Sequence, residues 1–112
     1  MPEDSRIRDE ICKVGASLFD RGLTAGSSGN ISVRLEDGGW LMTPTNVSLG
    51  ALDPARLSRL DATGRLMSGD APTKEAFLHL SMYGERKDAA AVVHLHSSHA
   101  TAVSILRDVD PN

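Results

Sequence analysis

Two histidines, His94 and His96, flank a single leucine in an apolar stretch that begins at Ala89. The stretch predicts a buried strand, and alternate side chains of a strand project from the same face. Both imidazoles would then point the same way, as two ligands of one divalent cation require. The alternative is that one histidine packs in the core while the other is exposed. His99 is a further candidate, as a ligand, a substrate contact or a helix-start residue.

A carboxylate, Glu75, lies near the start of a predicted helix that follows Pro72. A negative charge in the first helical turn is favourable in itself, which is one interpretation. The other is a metal ligand that also acts as a base. Thr73 and Lys74 would add a hydroxyl and an ammonium group beside the free N–H groups of a helix start, which suits a phosphate. His79 is interpreted as a solvated neighbour of Glu75 on the same helix.

Two polar turns are further candidates for anion binding. One is the loop Gly26-Ser27-Ser28-Gly29-Asn30, whose small residues would let backbone N–H groups approach an oxyanion. It is not a P-loop, because no Gly-Lys-Ser/Thr sequence follows. The other is Thr43-Pro44-Thr45-Asn46. Either turn alone is a weak indication of a site.

The elements that must position these residues follow from periodicity. An amphipathic helix is predicted from Glu3 to Arg21, and in a later helix Phe77, Leu80 and Tyr83 or Gly84 should lie near one face. Two hairpins are predicted between these helices, and a last helix should start at Ser97 or Ser98. The hairpin strands are Ile31–Leu35 with Trp40–Thr43, and Leu57–Leu60 with Arg65–Met67. This order predicts a mostly antiparallel sheet covered by helices.

Composition excludes several classes of protein. The sequence has 112 residues, a formal net charge of -3 and a single cysteine. The absence of a basic excess argues against a nucleic-acid partner, and one cysteine cannot form an internal disulfide. No apolar run approaches the roughly 20 residues of a membrane helix, and the charged N-terminus does not resemble a secretory signal. We therefore expect no membrane association and a cytoplasmic location.

Taken in order, these segments resemble the class II aldolase/adducin family. The resemblance covers nearly the whole sequence from the first helix onward, and only the combination is specific. It implies a three-layer α/β/α fold with a mostly antiparallel central sheet. The family includes sugar-phosphate aldolases, a 4-epimerase, 3-oxo-tetronate 4-phosphate decarboxylases and the non-catalytic adducin head. The matching segments are Gly22–Arg34, Met42–Thr45, Pro72–Glu75 and Ala91–Ala102.

The resemblance also implies roles for individual residues. His94 and His96 match histidines that hold a divalent cation, usually zinc, and Glu75 matches the carboxylate that ligates the metal and serves as acid/base. Asn46 stands where many relatives have glycine. Thr73 and Lys74 stand where many aldolases have two serines, which is closer to the decarboxylase branch. The phosphate contacts that the resemblance implies are Gly29, Asn30, Thr45, Asn46, Thr73 and Lys74.

The activity implied is metal-dependent cleavage of a carbon–carbon bond through an enediolate, on a small phosphorylated sugar or sugar acid. Decarboxylation of a 3-oxo-tetronate 4-phosphate and aldol cleavage of a ketose phosphate both fit. The alternatives are a sugar-phosphate 4-epimerase and a non-catalytic, adducin-like interaction module. The family also implies a homotetramer. Its third metal-binding histidine has no match, so we expect residues 1–112 to be the N-terminal part of one longer domain.

Overall fold

The computed structural model describes residues 2–95 and 101–105. Two α-helices and six strands form its framework, with the strands arranged in one sheet in the order β4-β3-β2-β1-β5-β6. Every neighbouring pair in this sheet is antiparallel. The elements are α1 (Pro2–Asp20), β1 (Asn30–Arg34), β2 (Trp40–Met42), β3 (Ser58–Leu60), β4 (Leu66–Ser68), α2 (Ala76–Glu85), β5 (Ala91–Leu95) and β6 (Thr101–Ile105).

The first part of the chain folds as its local patterns predict. Ile11 of α1 is 2% exposed and packs in one apolar cluster with Ile31 of β1 and Leu41 of β2. The β1–β2 turn closes where Asp37 accepts a hydrogen bond from the Gly39 amide at 2.9 Å. The predicted second hairpin is also present, as strands β3 and β4.

The two helices cover opposite faces of the sheet. Val92 and Val93 are consecutive on β5, so their side chains point to opposite faces. Val93 packs in the cluster that contains Ile11 of α1, whereas Val92 packs with Tyr83 of α2. The three-layer α/β/α arrangement with an antiparallel central sheet is therefore confirmed.

A pairing between distant strands brings the candidate residues together. In the register of β1 with β5, Asn30 lies opposite His94 and Ile31 lies opposite Val93. A single bridge between Pro44 and Pro72 then connects the segment after β2 to the segment before α2. The start of β1, the end of β2, the start of α2 and the end of β5 consequently meet at one side of the sheet.

Two predictions about elements are wrong. Residues 101–105 form strand β6 and not part of a helix, and Thr101, Val103 and Ile105 supply β-branched residues at the alternate positions that a strand favours. The predicted start of that helix at Ser97 or Ser98 lies outside the described residues. The predicted grouping of Phe77 with Tyr83 on one helix face is the second wrong prediction. Tyr83 is buried against the sheet together with His79, whereas Phe77 is 82% exposed.

In the part of the chain that the structure describes, no helix combines the length and the apolar character needed to cross a membrane.

Candidate active site

Three polar segments predicted as candidate sites line one open cavity of about 290 Å³. The first is the loop 26–30, the second is the turn 43–46 and the third is the stretch 72–75 before α2. Pockets that bind small molecules hold roughly 300–1,000 Å³, so this one is at the small end. It contains one ammonium group, that of Lys74, and one carboxylate, that of Glu75. The lining residues are Ser27, Ser28, Gly29, Asn30, Pro44, Thr45, Asn46, Thr73, Lys74 and Glu75.

The first segment is a tight turn fixed by its own hydroxyl groups. The Thr24 hydroxyl donates to the Ser28 carbonyl at 2.6 Å, and the Ser28 hydroxyl donates to the Ala25 carbonyl at 2.7 Å. Gly29 follows with φ +85°, in the left-handed region. A Cβ there would also lie 3.0 Å from Thr24 Oγ1 and 3.1 Å from a Leu49 methyl carbon. The positive φ therefore favours glycine where the chain enters β1, and a larger residue would also have to displace these two side-chain atoms by a few tenths of an ångström.

The second segment and the start of the third are joined by backbone hydrogen bonds. The Thr45 amide donates to the Ala71 carbonyl at 3.0 Å, and the Thr73 amide donates to the Thr43 carbonyl at 3.2 Å. Asn46 has φ +59°, the one positive value recorded for a residue other than glycine in the described part of the chain. Asparagine tolerates this conformation better than most residues. Asparagine is therefore compatible with the backbone conformation found at this position.

The structure places Glu75 and His94 side by side. Glu75 Oε1 lies 3.3 Å from His94 Nδ1, although Glu75 directly precedes α2 and His94 belongs to β5. The side chain of Glu75 is 30% exposed and that of His94 is 12% exposed, so the carboxylate is the more accessible of the two. Asn30 Nδ2 donates to the same Glu75 oxygen at 2.6 Å. The Thr73 hydroxyl accepts a hydrogen bond from the Glu75 amide at 3.2 Å and orders the turn before α2.

These donors fit a divalent cation. Ligand atoms about 2.0–2.1 Å from a tetrahedral zinc ion are about 3.3–3.4 Å apart, which matches the separation of Glu75 Oε1 and His94 Nδ1. Imidazole nitrogen and carboxylate oxygen are also the ligand types that zinc takes in catalytic sites. Across residues 2–95 and 101–105, no three histidine, cysteine, aspartate or glutamate side chains are grouped for a metal. His96 and His99 lie outside the described residues.

His79 is not the solvated residue that the sequence analysis expected. It is 0% exposed, and its ring nitrogens bond to Ser32 Oγ at 2.6 Å and to Asn30 Oδ1. Burial, with a smaller effect from His94, lowers its pKa to about 4, so the ring is neutral at pH 7. The Tyr83 hydroxyl lies 2.9 Å from the same Ser32 Oγ. Tyr83, Ser32 and His79 are therefore connected to Asn30 by a continuous series of hydrogen bonds.

A family model described as the class II aldolase and adducin N-terminal domain matches residues 9–111. The chain belongs to the class II aldolase and adducin family. The antiparallel sheet and its two covering helices agree with this membership. The matched range also contains all the segments on which the resemblance was based.

Comparison with individual proteins is consistent with this membership. A 3-oxo-tetronate 4-phosphate decarboxylase from Cupriavidus necator is 49% identical over 105 residues, covering 94% of this chain and 48% of its own length. An L-fuculose phosphate aldolase from Escherichia coli is 38% identical and covers 93% of this chain and 48% of its own length. The crystal structure of YgbL from Klebsiella pneumoniae has a TM-score of 0.82 and 44% identity, covering 96% of this chain and 52% of that one. The chain thus spans about half the length of the curated relatives it matches.

Proposed function

We propose that this class II aldolase-type chain forms the phosphate-binding and metal-binding half of a lyase that decarboxylates a 3-oxo-tetronate 4-phosphate. One observation carries the proposal. Glu75 lines the cavity formed by the three polar segments and also lies 3.3 Å from His94. A carboxylate that can exchange protons is thereby placed between a candidate phosphate pocket and a candidate metal ligand.

The proposed metal ligands are Glu75, His94 and His96. A bound divalent cation would supply the Lewis acidity that polarises the carbonyl next to the bond to be broken. Zinc is the ion we propose, because this donor set suits it. Asn30 would hold one Glu75 oxygen through its 2.6 Å hydrogen bond and so limit how the carboxylate turns.

The proposed catalytic role of Glu75 is to move one proton. In the decarboxylation of a 3-oxo acid, the bond between the carboxylate and its neighbouring carbon breaks and carbon dioxide leaves. The electron pair of that bond passes to the adjacent carbonyl group, and the carbon that lost carbon dioxide must take up a proton. Glu75 is 30% exposed and lines the cavity, so it can reach both this carbon and solvent.

The proposed phosphate contacts are Gly29, Asn30, Thr45, Asn46, Thr73 and Lys74. Lys74 provides the charge, because it is the only cation among the residues that line the described cavity. We expect Lys74→Met to raise KM for the phosphorylated substrate about 3- to 10-fold, the range for an exposed charge-assisted contact worth roughly 0.7–1.4 kcal/mol. Steady-state kinetics at two salt concentrations would measure it.

Lys87→Met is the matched control for Lys74→Met. Lys87 is exposed and follows the far end of α2, a helix of 10 residues and hence about 15 Å long. The Lys87→Met substitution should leave KM for the phosphorylated substrate unchanged. An equal rise of KM in both variants would mean that Lys74 acts through net charge alone and does not contact the phosphate.

Aldol cleavage of a ketose phosphate is the second candidate. Its support is the 38% identity to an L-fuculose phosphate aldolase, against 49% to a decarboxylase. The same pocket and carboxylate would serve it, with an aldehyde as the departing group in place of carbon dioxide. Thr73 and Lys74 favour the decarboxylase, because many aldolases have two serines at these positions.

The experiment that tests the proposal measures metal content and product together. The full-length protein would be purified, its zinc quantified per chain, and a 3-oxo-tetronate 4-phosphate offered as substrate. We expect bound zinc and release of carbon dioxide. Bound zinc with aldehyde formation from a ketose phosphate, and no carbon dioxide, would replace decarboxylation with aldol cleavage. Failure to bind zinc would contradict the metal-dependent mechanism and favour an adducin-like module.

Two further properties belong to the proposal. The homotetramer rests on the resemblance to the family alone. The cytoplasmic location rests on the composition, in which a single cysteine excludes an internal disulfide within these 112 residues.

A further inference from the structure

A chain of buried polar side chains runs from the interior of the α2 layer to the cavity. Ser32 and His79 are 0% exposed, Tyr83 is 1% exposed and Asn30 is 4% exposed. The contacts run from the Tyr83 hydroxyl to Ser32 Oγ, from Ser32 Oγ to His79 Nδ1, and from His79 Nε2 to Asn30 Oδ1. Asn30 Nδ2 then donates to Glu75 Oε1. Polar groups this deeply buried are stable only when each has a hydrogen-bond partner. Loss of one side chain from this series would therefore leave its neighbours unsatisfied.

The direction of every hydrogen bond in this chain follows from the last one. An ionised carboxylate only accepts hydrogen bonds, so the Asn30 amide must turn its NH₂ group towards Glu75. Asn30 Oδ1 is then the acceptor that faces His79, and His79 Nε2 must carry the proton. A neutral imidazole has one N–H group, so His79 Nδ1 must accept a hydrogen bond from the Ser32 hydroxyl. The Tyr83 hydroxyl is left to donate to Ser32 Oγ.

We propose that Tyr83, Ser32 and His79 form a positioning relay that holds the Asn30 amide in one orientation and, through Asn30, orients the Glu75 carboxylate. This inference rests on the proposed function of Glu75. None of the three residues touches the cavity, so they are positioning residues and not catalytic ones. Side chains that orient a metal ligand in this way typically contribute about 10- to 100-fold to metal affinity or activity.

The first test is spectroscopic and needs no turnover. Long-range ¹H–¹⁵N correlation spectra of the ¹⁵N-labelled full-length protein report which ring nitrogen of each histidine carries the proton. The His79 signals would be assigned by their loss in His79→Gln. We expect a single tautomer with the proton on Nε2. A proton on Nδ1, or signals averaged between the two tautomers, would overturn the relay.

The second test compares two buried serines of the same sheet. Ser32 and Ser58 are both 0% exposed, and the Ser58 hydroxyl donates to the Asp70 carbonyl at 2.6 Å, outside the relay. Ser32→Ala should lower kcat about 10- to 100-fold. Ser58→Ala should lose thermal stability to a similar extent and keep kcat. Equal losses of kcat in the two variants would mean that Ser32 has only a structural role.

A conservative replacement of His79 separates hydrogen bonding from packing. In His79→Gln the side-chain NH₂ group can take the place of Nε2–H and donate to Asn30 Oδ1, so most of kcat should be retained. His79→Leu has no donor and should lose kcat to the same extent as Ser32→Ala. If Gln and Leu at this position reduce kcat equally, the relay is contradicted.

These outcomes are distinct from failure of the proposed function. If Glu75 has no part in catalysis, Glu75→Gln remains active while His79 still shows its Nε2–H tautomer. If the relay is wrong, the His79 tautomer differs while the wild-type protein still releases carbon dioxide.

Discussion

Replacing Glu75 with glutamine is expected to lower kcat of the full-length protein by about 10²- to 10⁴-fold, the usual contribution of a positioned acid or base. Glutamine has nearly the same shape as glutamate, and its carbonyl oxygen can still accept the hydrogen bond that Asn30 Nδ2 donates to Glu75 Oε1. It cannot take up or release a proton at neutral pH. The rate of carbon dioxide release at saturating substrate measures the effect.

Glu85→Gln provides the control for Glu75→Gln, because Glu85 is an exposed glutamate at the other end of α2. It should change neither kcat nor the temperature of unfolding. Glu75→Gln should also unfold at nearly the wild-type temperature, which would exclude misfolding as the cause of lost activity. Turnover by Glu75→Gln within tenfold of wild type would rule out Glu75 as the proton donor.

Replacing His94 with alanine is expected to remove the metal and, with it, the activity. Partners that merely orient a metal ligand contribute about 10- to 100-fold to affinity, and loss of a ligand itself should exceed that. The geometry supports this expectation, because His94 Nδ1 lies 3.3 Å from the other candidate ligand in the described residues, Glu75. Zinc per chain after dialysis, measured by atomic spectroscopy, reports the result directly.

Val93→Ala is the control for His94→Ala. Val93 is the preceding residue on β5, is 7% exposed and packs with α1 on the opposite face of the sheet. Its truncation should lower the free energy of unfolding by roughly 1–3 kcal/mol and leave the zinc content unchanged. If His94→Ala retains a full complement of zinc, His94 is not a ligand and the cation must be held by other groups.

The framework was predictable because it follows from local patterns. Alternation of Ile31 and Val33 with polar residues identifies β1, and the Asp-Gly-Gly turn at 37–39 identifies its hairpin. The same logic failed for residues 101–105, where small and apolar residues fit either a helix or a strand. Short apolar segments do not settle that choice by periodicity alone.

The site was predictable only in pieces. Each polar turn resembled an ordinary loop, and spacing gave no reason to place Gly29, Thr45 and Lys74 around one cavity. Strand register decides this, since Asn30 lies opposite His94 across more than half of the chain. No local rule predicts such a pairing, and only the family resemblance assigned these residues to one site.

His79 was missed because helical spacing grouped Tyr83 with Phe77 on one face of α2. Tyr83 is indeed buried, but the buried residue beside it is His79, four positions earlier, and Phe77 is exposed. A signal was nevertheless present. In the three-layer fold that the resemblance implies, helices cover both faces of the sheet, so the Ser32 hydroxyl needs a polar partner from the covering layer.

The strand order also determines when the site forms during folding. Strands β1 to β4 form a meander of neighbouring segments, whose connections span residues 35–39, 43–57 and 61–65. Each of these loops is much shorter than the loop that the next pairing must close. Pairing of β5 with β1 closes a loop of roughly 60 residues and is the entropically demanding step. His94 comes into contact with Asn30 and Glu75 only when β5 pairs with β1. A chain that has folded no further than its meander therefore does not bring the proposed ligands Glu75 and His94 together, so binding of the proposed cation would follow the pairing of β5 with β1.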